Sequence, residues 1–342
     1  MQLLKHLGLT RILAVAALLV TAAPLGASPL LQLVVIGDSV SDTGNLYART
    51  NGAFPNIPNW QGRYSNGPVW VEVLASELGM PNPAAYFGPS TSGQTNFAQG
   101  GATTYAQSSA PLRTDMPWQI DQLEADAELT GGLSDSLVVV FGGANDFFNA
   151  IQANPPQPIN PMDSVNNLVA LIERLIGLGA ESLLLPNLPP IDQTPEFIAR
   201  GSTAQAAADQ FSTGFDATYQ SAVSELQATH AGVDFYYFDV YSIIQDMLAD
   251  PAGFGFDNVT QSYLSTSMTD NPDSYLYWDG VHVTRAGHRE FGLFAAQLVP
   301  IPPVLLLLLP GLLILIGSRS KGGLRCCCLQ RQTETKRLKR AM

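Results

Sequence analysis

Residues 31–42 read LQLVVIGDSVSD. The run Leu31–Ile36 is strand-length, shows no period-2 alternation and stops at Gly37, which suits a strand buried on both faces of its sheet. Similar runs recur at Leu137–Phe141 (LVVVF), Ser182–Leu185 (SLLL) and Phe235–Phe238 (FYYF). Between them lie stretches with helical spacing: Pro68–Leu78, Pro117–Leu129, Ser164–Leu178 and Ala204–Ala228. In the third, Val165, Leu168, Val169, Ile172, Leu175 and Ile176 make one apolar stripe, closed by Gly177 and Gly179. Strands alternating with helices predict an α/β domain, a parallel sheet covered by helices on both sides. Such sheets collect their chemistry at the carboxyl ends of the strands.

The chain of 342 residues is 46% hydrophobic and 13% charged, which excludes a disordered or collagen-like protein. Residues 28–300 hold 28 Asp and Glu against 7 Arg and no Lys, a net of 7 − 28 = −21. Residues 319–342 hold 8 Lys and Arg against Glu334, a net of +7. An acidic body without a basic patch excludes a nucleic-acid partner.

Both ends read as targeting segments. Residues 1–27 place Lys5 and Arg11 before an apolar run, Ile12–Ala23, and end in Leu25-Gly26-Ala27, the layout of a secretory signal peptide. The 20 residues from Leu298 to Gly317 carry no charge and precede a basic tail, 318–342, so a membrane span with a cytoplasmic tail and an exported body is expected. Val299-Pro300-Ile301-Pro302-Pro303, the apolar span at 299–317 and the basic end resemble the PEP-CTERM bacterial sorting signals. That resemblance implies an exosortase-type processing enzyme as partner. Cys326, Cys327 and Cys328 all lie in the tail and receive no role, so the exported body has neither disulfide nor thiol nucleophile.

Directly after the first strand, Gly37-Asp38-Ser39 puts a hydroxyl at the rim of the sheet, which suits a nucleophile and is also ordinary turn chemistry. A serine needs a base, and the chain has four histidines. His6 lies in the leader and His230 ends a helix. His282 lies in Asp279-Gly280-Val281-His282, where a carboxylate three residues earlier can take the Nδ1 proton and leave Nε2 for the serine. His288 falls inside the helical stretch Arg285–Leu298 and is expected on the helix surface or in support of the site. Candidate oxyanion donors are Asn145, in Gly142-Gly143-Ala144-Asn145-Asp146 after the second strand, and the glycines of Asn96-Phe97-Ala98-Gln99-Gly100-Gly101-Ala102.

These blocks, in this order over most of residues 31–298, resemble the SGNH or GDSL hydrolase family. Gly62-Arg63-Tyr64-Ser65-Asn66-Gly67-Pro68-Val69-Trp70 is similar to its secreted lecithinase, hemolysin and plant-type lipase branch. The resemblance implies a flavodoxin-like three-layer α/β/α sandwich over 28–298, no cofactor and no metal. It also implies Ser39, Asp279 and His282 as catalytic residues. The oxyanion hole would be formed by Ser39 N–H, Gly101 N–H (five residues after Asn96, in preference to Gly100) and Asn145. Ser41 occupies the position where Gly-X-Ser-X-Gly would need glycine, which excludes the α/β-hydrolase elbow.

The expected function is an exported serine carboxylic-ester hydrolase of esterase, lipase or phospholipase type, working through an acyl-enzyme on Ser39. The expected location is extracytoplasmic, membrane-tethered or released. The alternatives are an O-acetyl esterase on exported polysaccharide and a non-catalytic binding protein on the same scaffold. Long loops at 47–62 and 251–277 are expected to border the pocket.

Overall fold

The computed structural model describes residues 30–90 and 92–300. The expected signal peptide, the apolar segment beyond Pro300, the basic tail and the cysteines lie outside the described residues. Among the described residues no helix is long and apolar enough to cross a membrane.

The core is a parallel sheet of β1 (Gln32–Gly37), β2 (Ser136–Phe141), β3 (Ser182–Pro186) and β4 (Asp234–Phe238) in that order. On the free side of β1 the segment 95–99 adds a fifth, irregular member: Val35 N–H donates to Thr95 O (3.0 Å), Phe97 N–H to Val35 O (2.8 Å) and Gln99 N–H to Gly37 O (3.1 Å). Counting it, the order in sequence terms is 2-1-3-4-5, the flavodoxin-like arrangement. Ser39 therefore sits where the strand order reverses.

Alternation along the strands sorts the core into two layers. Val34, Ile36, Val138, Val140, Leu183 and Leu185 face one way, against α3 (Met116–Ala125), α6 (Pro161–Gly177) and α8 (Ser202–Thr229). Leu33, Val35, Leu137, Val139 and Leu184 face the other, against α2 (Trp70–Glu77), α9 (Val240–Ala249) and α10 (Arg285–Leu298). The remaining helices are α1 (Asn45–Arg49), α4 (Ala127–Gly131), α5 (Ala144–Gln152) and α7 (Pro195–Arg200). Among the described residues both layers are built from side chains between Leu30 and Val299, within the compact unit Ser28–Pro300.

Three expectations need correction. The stretch Pro117–Leu129 is two helices, broken at Asp126, whose carboxylate accepts Leu129 N–H and starts α4. The run FYYF is not buried on both faces: β4 is an edge strand, with Tyr236 and Tyr237 half-buried. Residues 251–277 are not one loop; they contain β5 (Asn258–Ser262) and β6 (Tyr275–Tyr277), a two-stranded parallel sheet that leads into the His282 loop.

Candidate active site

Ser39 lies just past β1 at the carboxyl edge of the sheet and is 8% exposed. The turn that presents it is held by groups from far along the chain. Gln119 on α3 grips the preceding peptide on both sides, Gly37 N–H donating to Oε1 (2.9 Å) and Nε2 donating to Gly37 O (2.8 Å). Its side-chain amide thus acts as a further strand partner. Asn96 Nδ2 donates to Ser41 O (2.7 Å), and the Trp70 indole N–H donates to Ser41 Oγ (3.0 Å). Asp38 contributes locally, accepting Val40 N–H at 3.0 Å.

The histidine loop is built from within. Asp279 Oδ1 accepts the backbone N–H of Val281 (3.0 Å) and of His282 (2.8 Å), closing an Asx turn that places the imidazole against the same carboxylate. His282 Nδ1 lies 2.8 Å from Asp279 Oδ2, and Nε2 lies 2.7 Å from Ser39 Oγ. Because the carboxylate can only accept, Nδ1 carries the proton, and Nε2 accepts from the Ser39 hydroxyl. The loop is docked by the Gly62–Trp70 block: Ser65 Oγ donates to Val283 O (3.0 Å), and Arg285 N–H donates to Asn66 Oδ1 (2.7 Å). The Tyr64 ring packs on the imidazole with centroids 4.9 Å apart.

Burial disfavours an imidazolium at His282, but the adjacent Asp279 charge and hydrogen bond, with smaller help from Asp38 and Glu196, leave the ring more basic than an ordinary histidine. Burial likewise pushes Asp279 up, yet the imidazolium and the two backbone N–H donors outweigh it and hold the carboxyl below its usual range. Asp38 is pushed up to about 6, chiefly by burial.

The glycine pair resolves into two jobs. Gly100 N–H donates to Asp42 Oδ2 (3.0 Å), and a Cβ on Gly100 would collide with the Tyr64 hydroxyl. Gly100 is therefore committed to structure. Gly101 has φ +76°, a left-handed conformation that favours glycine, and its N–H has no acceptor among the described residues. The same holds for Ser39 N–H. Asn145, in the first turn of α5, donates one Nδ2 hydrogen to Ala102 O (3.0 Å), which orients the amide and leaves the other hydrogen available.

Sequence reasoning missed three contributors. Gln119 gave no signal, because its contact with Gly37 spans 82 positions. Asp42 accepts the N–H groups of Gly44 (2.8 Å), Asn45 (2.6 Å) and Gly100 (3.0 Å), joining the start of α1 to the glycine turn; an aspartate followed by Thr-Gly-Asn is an Asx-turn signal that could have been read. Tyr64, whose ring packs on His282, carries no signal of its own beyond its motif. His288, expected on the helix surface or in support, is buried: its Nδ1 accepts Trp70 N–H (3.3 Å), and burial lowers its pKa to about 3. It is a neutral acceptor for the start of α2. Among the described residues no cluster of His, Cys, Asp or Glu is arranged to hold a metal ion.

A parallel sheet presenting a serine–histidine–aspartate relay at its carboxyl edge defines the class: hydrolases of acyl bonds with α/β architecture. The chain belongs to the GDSL-like lipase/acylhydrolase family, whose model matches residues 33–293. It is 26% identical over 309 residues to a GDSL esterase/lipase of Arabidopsis thaliana, covering 75% of this chain and 82% of that one. It is 29% identical over 249 residues to a phosphatidylcholine-sterol acyltransferase of Aeromonas hydrophila, covering 70% and 68%. Acetylajmalan esterase 2 of Rauvolfia serpentina is 27% identical over 322 residues, covering 77% and 88%. A crystal structure of a lipolytic G-D-S-L family protein from Veillonella parvula aligns with TM-score 0.43 and 15% identity, over 78% of this chain and 97% of that one. The protein is an ester-bond hydrolase.

Proposed function

We propose that Ser39 is the nucleophile of a carboxylic-ester hydrolase acting on lipid or small acyl esters. The observation that carries this reading is the continuous relay from Asp279 through His282 to the Ser39 hydroxyl, 2.8 and 2.7 Å long. Ser39 Oγ attacks the ester carbonyl carbon while His282 Nε2 takes its proton. The oxyanion is held by Ser39 N–H, Gly101 N–H and the free hydrogen of Asn145 Nδ2. His282 then protonates the leaving alcohol, and the acyl group remains on Ser39. Water, deprotonated by His282, releases the acid and restores the serine. Asp279 keeps the tautomer and stabilises the imidazolium throughout.

One relative is a phosphatidylcholine-sterol acyltransferase and another an acetylajmalan esterase, so the family resemblance leaves the acyl chain and the alcohol open. A panel of 4-nitrophenyl esters from acetyl to palmitoyl, with Ser39→Ala as the blank, tests the reading. Turnover that survives Ser39→Ala contradicts it.

The body is exported through the leader at 1–27 and held at the membrane by the 299–317 segment, with exosortase-type processing as one fate of that segment. The support is the charge split of −21 against +7 around an uncharged stretch. Protease added to intact spheroplasts is expected to digest the body. Digestion only after lysis contradicts export. An epitope at Met342 that stays with the membrane-bound body marks a plain anchor, and its loss marks cleavage.

A further inference from the structure

The loop Thr50–Gly62 leaves α1 and returns just before Tyr64, whose ring packs on His282. It is ordered by its own bonds, Phe54 N–H donating to Thr50 Oγ1 (3.1 Å) and Asn59 N–H to Asn56 O (3.1 Å). It is also pinned to the site, because the Trp278 indole N–H, one residue before Asp279, donates to Asn59 Oδ1 (2.8 Å). At its tip Ile57 is 89% exposed and Phe54 61%. These two side chains stay largely in solvent on folding, yet the loop that carries them is tied through Asn59 to Trp278, the neighbour of Asp279.

We propose that the Phe54–Ile57 tip docks the enzyme on a zwitterionic phospholipid surface and delivers esters from that surface to Ser39. The choice of surface follows from charge. No residue from Thr50 to Gly62 is charged, and neither is any from Leu78 to Leu112, the stretch that carries Gly101 and the exposed Tyr105. The body around them has a net charge of −21 and no lysine, so an anionic bilayer repels it, whereas an uncharged apolar tip enters a zwitterionic interface without electrostatic cost. The proposal rests on the ester-hydrolase reading and names where the substrate is presented.

The test is flotation of the isolated body, residues 28–300, with phosphatidylcholine vesicles, alongside hydrolysis of soluble 4-nitrophenyl butyrate. The wild-type body is expected to float. Phe54→Ser with Ile57→Ser lowers the vesicle-bound to free ratio at least about tenfold, as expected for removing two apolar anchors. Phe54→Leu with Ile57→Leu restores binding, and all three hydrolyse the soluble ester alike. Failure of the wild type to float, flotation only with phosphatidylglycerol vesicles, equal flotation of the serine pair, or no recovery in the leucine pair overturns the proposal. A wild-type dimer that the serine pair dissociates overturns it in favour of a second copy as the occupant. Loss of soluble-ester turnover in the wild type would instead count against the hydrolase reading, and flotation would still decide the docking.

Discussion

The two halves of the relay are built in opposite ways. Asp279 and His282 lie three positions apart, and one carboxylate fixes both the backbone turn and the imidazole. Ser39 is placed by Gln119, Asn96 and Trp70, from three other regions of the chain. A loop made locally can lose its chemistry while the fold stands. A turn held from a distance loses position and stability together.

The sharpest test of the local half is the pair of histidines. His282→Ala is expected to lower kcat by about 10⁶-fold, as loss of the base does when the triad acts as a unit. His288→Ala is expected to keep most of the turnover and to cost about 1–3 kcal/mol of stability, because Trp70 N–H is left buried without an acceptor. The opposite result in steady-state kinetics would move the base to His288. The folded pKa of His288 is depressed to about 3 from 6.5, so its contribution to stability is complete above pH 6.5 and fades as pH falls toward 3. The difference in melting temperature between wild type and His288→Asn, measured across that range, should shrink toward acid.

Next in size is Asp279→Asn. Its Oδ1 still accepts from Val281 and His282, so the melting temperature should hardly move, while kcat falls roughly 10⁴-fold because the imidazole tautomer is no longer fixed. A large loss of stability with activity preserved per folded molecule would show that the carboxylate serves the turn alone. Asn145→Ala is expected to slow turnover by about 10²–10³-fold with KM nearly constant, the behaviour of a donor that engages the oxyanion. A raised KM at constant kcat would make it a substrate-binding group.

On the distributed half, Gln119→Ala should lower kcat roughly 10- to 100-fold through displacement of Ser39, and also cost about 1–3 kcal/mol because Gly37 N–H loses its partner. An unchanged melting temperature would remove the contrast between the two halves. The smallest effect is expected from Asp38→Asn. Asp38 helps keep His282 basic, so its neutralisation lowers the imidazole pKa, and the acid limb of kcat/KM moves to lower pH. Movement in the other direction would contradict the electrostatic role.

This contrast also decides what could be read from the sequence. Asp279-Gly280-Val281-His282 was legible because its geometry follows from its own spacing, and the strands were legible as apolar runs. Gln119 was not, since a glutamine on the inner face of a helix looks like any other polar position until the sheet brings Gly37 to it. The preference for Gly101 over Gly100 rests on a resemblance, to which the structure adds that the Gly100 N–H is already engaged by Asp42. The strand-like segment 95–99 escaped because its polar residues, Thr95, Asn96 and Gln99, carry no apolar run, and their bonds to β1 hold the strand there.

The most direct test of the whole account is the site of covalent capture. The folded protein is treated with a fluorophosphonate, digested and mapped by peptide mass spectrometry, with His282→Ala in parallel. The relay predicts a single stoichiometric adduct on Ser39 in the wild type and almost none in His282→Ala over the same time. An unlabelled wild type, an adduct on another residue, or equal labelling without His282 would contradict it.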